Sequence, residues 1–174
     1  MFTIARALQA IDETWNAKPS EPAPTWNTPV QHDATLVAQL VGQYDELDAS
    51  LAAIIGNLES EGSAQMALAC SEDLHKLRHT EALRLFPIIA RGLTPDPVAR
   101  RLFWQSRLVM LGLARRVFRR FDELVRALRA QTGAATAAQH LTKALAEYRQ
   151  RNESEIYPLY ALAGRRDGGV AAAG

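Results

Sequence analysis

Apolar residues in this chain recur every three or four positions through four long runs, and short breaks separate the runs. That period places one apolar face on a helix, and no stretch shows the two-residue alternation of a half-buried strand. The first run holds Leu36, Leu40, Val41, Tyr44, Leu47, Leu51 and Ile54–Ile55, with Asp33 placed to cap it, and predicts a helix over 34–60. Glu61-Gly62-Ser63 breaks the chain, Ser63 being a second cap candidate. A helix over 64–91 follows and stops at Gly92, ahead of Pro95 and Pro97. Asp96-Pro97 then reads as a helix start, Asp as N-cap and Pro at the first helical position. This third helix runs to Ala130 and ends at Thr132-Gly133; the fourth spans 135–163 and closes at Gly164. Four long helices joined by short links predict an all-α fold, an antiparallel up-down four-helix bundle over 34–164.

The flanks differ from the bundle. Residues 1–33 read as a short amphipathic helix, with Ile4, Leu8, Ile11 and Trp15 on one side, followed by an arm holding Pro19, Pro22, Pro24 and Pro29. Residues 165–174 are rich in Gly and Ala and read as a disordered tail. A chain of 174 residues with net charge +1 fits one domain and carries no global electrostatic mandate for nucleic acid or membrane. Its lone Cys70 excludes an internal disulfide and a multi-cysteine metal site. No apolar run reaches the roughly 18–20 residues that span a bilayer, and Met1–Arg6 begins no secretory signal, so the expected location is cytoplasmic. Three lysines against seventeen arginines, with heavy alanine use, suggest a high-GC bacterial genome.

The two halves repeat one another. Tyr44-Asp45-Glu46-Leu47 followed by Leu51 matches Phe121-Asp122-Glu123-Leu124 followed by Leu128. Leu77-Arg78, Glu81 and Leu85-Phe86-Pro87 match Tyr148-Arg149, Asn152 and Ile156-Tyr157-Pro158. Two helix pairs of one design predict packing about a pseudo-twofold axis. Each repeated proline lies late in a helix, where it must bend the helix or end its regular ladder.

This pattern resembles the hemerythrin-like (HHE cation-binding) family over residues 34–164, most specifically in the twice-repeated aromatic-proline ending. The resemblance implies a four-helix bundle with histidines on the first and third helices and His-x-x-x-Glu on the second and fourth. In the family these hold a metal pair for dioxygen, nitric oxide or peroxide chemistry. Counting back from each proline, the matching positions here are Tyr44, Leu77, Glu81, Phe121, Tyr148 and Asn152. All four histidines are replaced and one carboxylate of two remains. Leu and Phe cannot ligate, Asn is a weak neutral donor and Tyr needs deprotonation, so the expectation is a metal-depleted site refilled by side chains. Glu81 would then face the core between Tyr44, Tyr148 and Asn152, hydrogen-bonded or protonated.

Other candidates are weaker. His75 and His79 stand four apart, an acceptable metal spacing, but at about 100° per residue they point away from the Leu77–Glu81 face and read as exposed, with no third ligand. His32 and His140 are isolated, and Cys70 reads as a small buried hydrophobe. The third helix is basic, notably at Arg115, Arg116, Arg119 and Arg120, whereas the first 60 residues are acidic, so the arm or a partner is expected to cover part of that basic face. Serine-triad, Walker and dinucleotide signatures are absent.

The leading expectation is a non-catalytic, metal-depleted hemerythrin-like bundle without cofactor. Its role would be regulatory or protein-interacting, through an unidentified protein or a second copy of the chain. The alternatives are a metal-dependent sensor or binder of oxygen, nitric oxide or peroxide with an altered site, and a basic-surface binder of nucleic acid or anionic lipid. The last rests on charge segregation alone.

Overall fold

The computed structural model describes residues 31–171, with side chains as far as Arg165. The expected helix over 1–16 and nearly all of the proline-bearing arm lie outside the described residues. What is described is all-helical, without a strand. The elements are α1 (Leu36–Gly56), α2 (Ser63–Thr80), a π-helical turn π1 (Glu81–Leu85), α3 (Phe86–Gly92), α4 (Pro97–Ala130), α5 (Ala134–Arg151), a second π turn π2 (Asn152–Ile156) and α6 (Tyr157–Ala171). With α2–π1–α3 and α5–π2–α6 each continuous, four long helical stretches make a bundle. It is held by contacts of α4 with α5 and α2, of α1 with α2, and of α3 with α6.

The helical period explains the core. On α1, Leu36, Leu40, Tyr44, Leu47, Leu51 and Ile54 are buried; on α4 the buried face runs from Phe103 to Leu128. The start of α4 follows its sequence signal, since the Asp96 carboxylate accepts from Ala99 N–H at 2.9 Å and proline occupies the first turn. Its end lies at Gln131, which takes the left-handed conformation at φ 51°, while Gly133 at φ 71° opens α5.

Both repeated prolines sit two residues beyond a π turn. Phe86 N–H bonds to Glu81 C=O and Tyr157 N–H to Asn152 C=O, five residues back instead of four. A proline has no N–H to give, and its ring collides with the carbonyl four residues earlier. One wider turn moves that carbonyl aside and lets the helix continue. Glu81 and Asn152 are each the first residue of such a turn.

Three terminal expectations need correction. Asp33 is not the N-cap of α1. Thr35 holds that position without a side-chain cap bond, while the Asp33 carboxylate accepts from Thr35 N–H at 2.9 Å and Thr35 O–H at 2.7 Å, closing a turn ahead of the helix. Ser63 is likewise inside α2, its hydroxyl donating to Asn57 C=O and tying the break together. Finally, Gly164 does not close the last helix, which continues to Ala171 through residues assigned to the tail. Gly164 is small because His32 packs where its Cβ would stand.

At the proline end, α3 and α6 touch almost backbone to backbone. A Cβ on Gly92 would lie 2.5 Å from Ala163 Cβ and 2.8 Å from its Cα. Beside this contact, Tyr160 O–H donates to Asp33 C=O at 3.0 Å and accepts from Asp33 N–H at 2.9 Å, and Arg84 pairs with the Asp33 carboxylate at 2.7 Å.

Candidate functional site

A polar cluster occupies the bundle interior. Tyr44 from α1, Glu81 from π1, Tyr148 from α5 and Asn152 from π2 are all buried. Tyr148 O–H donates to Glu81 Oε2 at 2.9 Å, and Tyr44 O–H donates to Glu81 Oε1 at 3.1 Å. Asn152 Nδ2 donates to the Tyr44 hydroxyl oxygen at 2.9 Å and to Glu81 Oε1 at 3.1 Å. The two tyrosine rings lie 6.2 Å apart, tilted by 55°. Both oxygens of the carboxylate therefore accept, while Asn152 Oδ1 meets no hydrogen-bond partner among the described residues.

Burial governs the titration of this cluster. It pushes the Glu81 carboxyl up to about 7, against the opposing pull of the Tyr148 hydroxyl, the Arg78 charge and the Tyr44 hydroxyl. Tyr44 and Tyr148 are raised too, first by burial and then by the neighbouring carboxylate. Arg78 is itself buried, its guanidinium 5.6 Å from the centre of the Phe118 ring.

Leu77 and Phe121, also named from the sequence, are buried apolar core residues on α2 and α4. The six positions thus comprise four polar groups joined by hydrogen bonds and two apolar side chains. Among the described residues no group of three His, Cys, Asp or Glu side chains is placed to hold a metal ion.

The remaining candidates separate. His79 is exposed, but His75, expected to be exposed, is half-buried and stacks on Phe118 at 3.9 Å between ring centres; burial lowers its pKa. Cys70 is buried, its thiol pushed up to about 11 by burial. Of the four arginines singled out on α4, Arg116 pairs with Glu147 at 2.8 Å and Arg120 with Glu123; Arg115, Arg116 and Arg119 are all exposed.

Sequence reasoning missed Arg149. It bridges Asp45 at 2.8 Å, Asp48 at 2.7 Å and Glu153 at 2.7 Å, with its guanidinium 5.9 Å from the centre of the Tyr44 ring. It ties α1, α5 and π2 together beside the cluster. The only sequence signal was the Asp-rich phrase of the first helix opposite an arginine of the fourth. A second missed feature is the outer face of α4. Val98, Leu102, Leu108 and Val109 are four of the seven exposed large hydrophobic side chains among the described residues.

Compared with known proteins, the chain matches no protein-family model, no curated protein and no solved structure. Among the described residues, no helix is long and apolar enough to cross a membrane.

Proposed function

We propose that this chain is a metal-depleted, hemerythrin-like bundle, antiparallel and internally duplicated, that acts through protein contacts and not through catalysis. The observation that carries the metal-free reading is the saturation of Glu81. Its two oxygens already accept from Tyr44, Tyr148 and Asn152. A divalent cation would have to break those bonds and would gain one carboxylate, two phenols and an amide, a poor set for iron or zinc. The aromatic-proline phrase preceded by a π turn in each half supports the duplication.

The exposed apolar stripe on α4 supports the interaction role. Val98, Leu102 and Val109 share one side of the helix at helical spacing, with exposed Arg101 and Arg119 along it. A second copy placed on this face would meet like charges, so the fitting partner is a separate protein presenting an apolar helix face with acidic flanks. Pairing of Arg116 and Arg120 with glutamates weakens the reading as a nucleic-acid or anionic-lipid binder. A bacterial, cytoplasmic setting belongs to the same proposal.

The test is metal analysis of the full chain purified without an affinity tag, followed by melting with added iron(II), manganese(II) or zinc(II). A real site at 100 times its dissociation constant would add about 2.7 kcal/mol, a rise in Tm of several degrees. The expected outcome is substoichiometric metal and no such rise. Stoichiometric iron or manganese, lost on Glu81→Gln, overturns the reading in favour of a metalloprotein with an altered site.

A further inference from the structure

Two phenol groups donating into one buried carboxylate is an arrangement with chemistry of its own. We propose that Tyr148 is a redox-active tyrosine, oxidised by one electron while its proton passes to Glu81. The step balances within the cluster. The Tyr148 O–H bond breaks, the proton moves along the 2.9 Å hydrogen bond to Glu81 Oε2, and the electron leaves to a one-electron oxidant such as a peroxyl-type radical or an oxidised metal complex. The products are a neutral phenoxyl radical, a neutral carboxylic acid and the reduced oxidant.

Electrostatics favours this direction. A buried ionised carboxylate is costly, and the step removes it, so the cluster begins with one negative charge and ends with none. The titratable and charged groups whose fields reach Glu81 are Tyr44 on α1, Arg78 on α2, Tyr148 on α5 and Tyr157 on α6. Arg78 favours the carboxylate, but burial outweighs it, as the upward displacement of the Glu81 pKa records. Tyr44 stays hydrogen-bonded to the other carboxyl oxygen, so the acceptor is held in place while the proton moves.

The placement of the remaining tyrosines supplies a path for the electron. The chain has four tyrosines. Tyr157 lies close enough to Glu81 and Tyr148 for both to raise its pKa after burial, and its hydroxyl has no hydrogen-bond partner among the described residues. One turn further along α6, Tyr160 stacks on His32 at 4.6 Å between ring centres. His32, Tyr157 and Tyr160 line a groove of about 540 Å³ that the described residues leave open, where an oxidant can approach. Tyr157 and Tyr160 thus line the opening, while Tyr44 and Tyr148 hold the buried carboxylate.

Flash photolysis of the full chain with a ruthenium polypyridyl photo-oxidant, read by electron paramagnetic resonance, tests this. The wild-type chain is expected to give a neutral tyrosyl radical whose hyperfine pattern collapses on incorporation of ring-deuterated tyrosine. Tyr148→Phe should lose at least tenfold of that signal. Glu81→Gln, which keeps the shape of the site but removes the proton acceptor, should shorten the radical lifetime at least tenfold while circular dichroism shows an intact fold. The wild-type yield should also fall as pH drops below about 7, where Glu81 already holds a proton, and Glu81→Gln should lack that dependence. A radical confined to Trp104 or Tyr160, or a lifetime and pH profile unchanged in Glu81→Gln, overturns the proposal even if Tyr148→Phe fails to fold.

Discussion

Glu81 couples the stability of the protein to pH. Its folded pKa lies near 7 against an ordinary 4.5, because burial disfavours the ionised form. Between those values the unfolded chain releases a proton that the folded chain keeps, so the unfolded state binds fewer protons and stability falls as pH rises. Below about 4.5 the contribution is absent; above about 7 it is a constant penalty on the order of 3 kcal/mol, at about 1.36 kcal/mol per unit. Glu81→Gln should remove that slope. In urea titrations at pH 5 and pH 8, the wild type is expected to lose stability relative to the variant between the two, the opposite slope from the lowered His75 pKa being common to both. Glu81→Ala should fall below Glu81→Gln at either pH by about 1–3 kcal/mol, since it strands the Tyr44 and Tyr148 hydroxyls and the Asn152 amide. A difference between wild type and Glu81→Gln that stays constant from pH 5 to 8 would sink this account. The partners of Glu81 could be named from the sequence because both halves count back from an aromatic-proline pair. Arg149 could not: its links to Asp45 and Asp48 join residues about a hundred positions apart, and nothing local marks them.

At the scale of elements, glycines that look alike in the sequence have opposite consequences. Gly42 lies within α1, and a Cβ added there meets nothing within 4 Å. Gly42→Ala should therefore stabilise the helix by about 0.5–1 kcal/mol, the usual gain from replacing a helical glycine. Gly92 also lies in a helix, but its added Cβ would drive into Ala163. Gly92→Ala should cost about 1–3 kcal/mol by forcing α3 off α6. Chemical denaturation of both variants reads the difference, and the same sign at both sites would show that the α3–α6 contact does not set the spacing. The element plan itself was legible, since α1, α4 and the continuous α2–π1–α3 stretch begin and end within a few residues of the expected bounds, and α5 begins within one. The π turns were not. Over five residues an apolar pattern cannot distinguish a wider turn from a regular one, so the prolines announced a disturbance without its form. Gly164 misled for a related reason, because a glycine that stops a helix and one that admits a neighbouring ring have the same letter.

For the molecule as a whole, the first four turns of α4 present an apolar stripe that the described residues leave uncovered. Val98 is 68 % exposed, Leu102 56 % and Val109 43 %. These side chains contribute little to the fold where they stand, and a charge placed there should change stability by no more than about 0.5 kcal/mol. If the stripe serves a partner, the same change should weaken binding sharply, because the apolar centre of an interface carries most of its energy. The double variant Val98→Asp and Leu102→Asp, both on the stripe, separates the two roles. A photo-crosslinking residue at Val109 in the full chain should capture a distinct protein, and the captured surface should prove apolar with acidic flanks. Capture should fall at least tenfold in the double variant while the thermal midpoint stays within a degree or two. The arginines along the stripe make the capture salt-dependent, with yield falling as ionic strength shortens the reach of their charges. A crosslink only to a second copy of the chain would assign the stripe to self-association. A crosslink only to residues 1–33 would assign it to the chain's own N-terminal segment. Either result, or an unchanged capture in the double variant, removes the separate partner from the proposal.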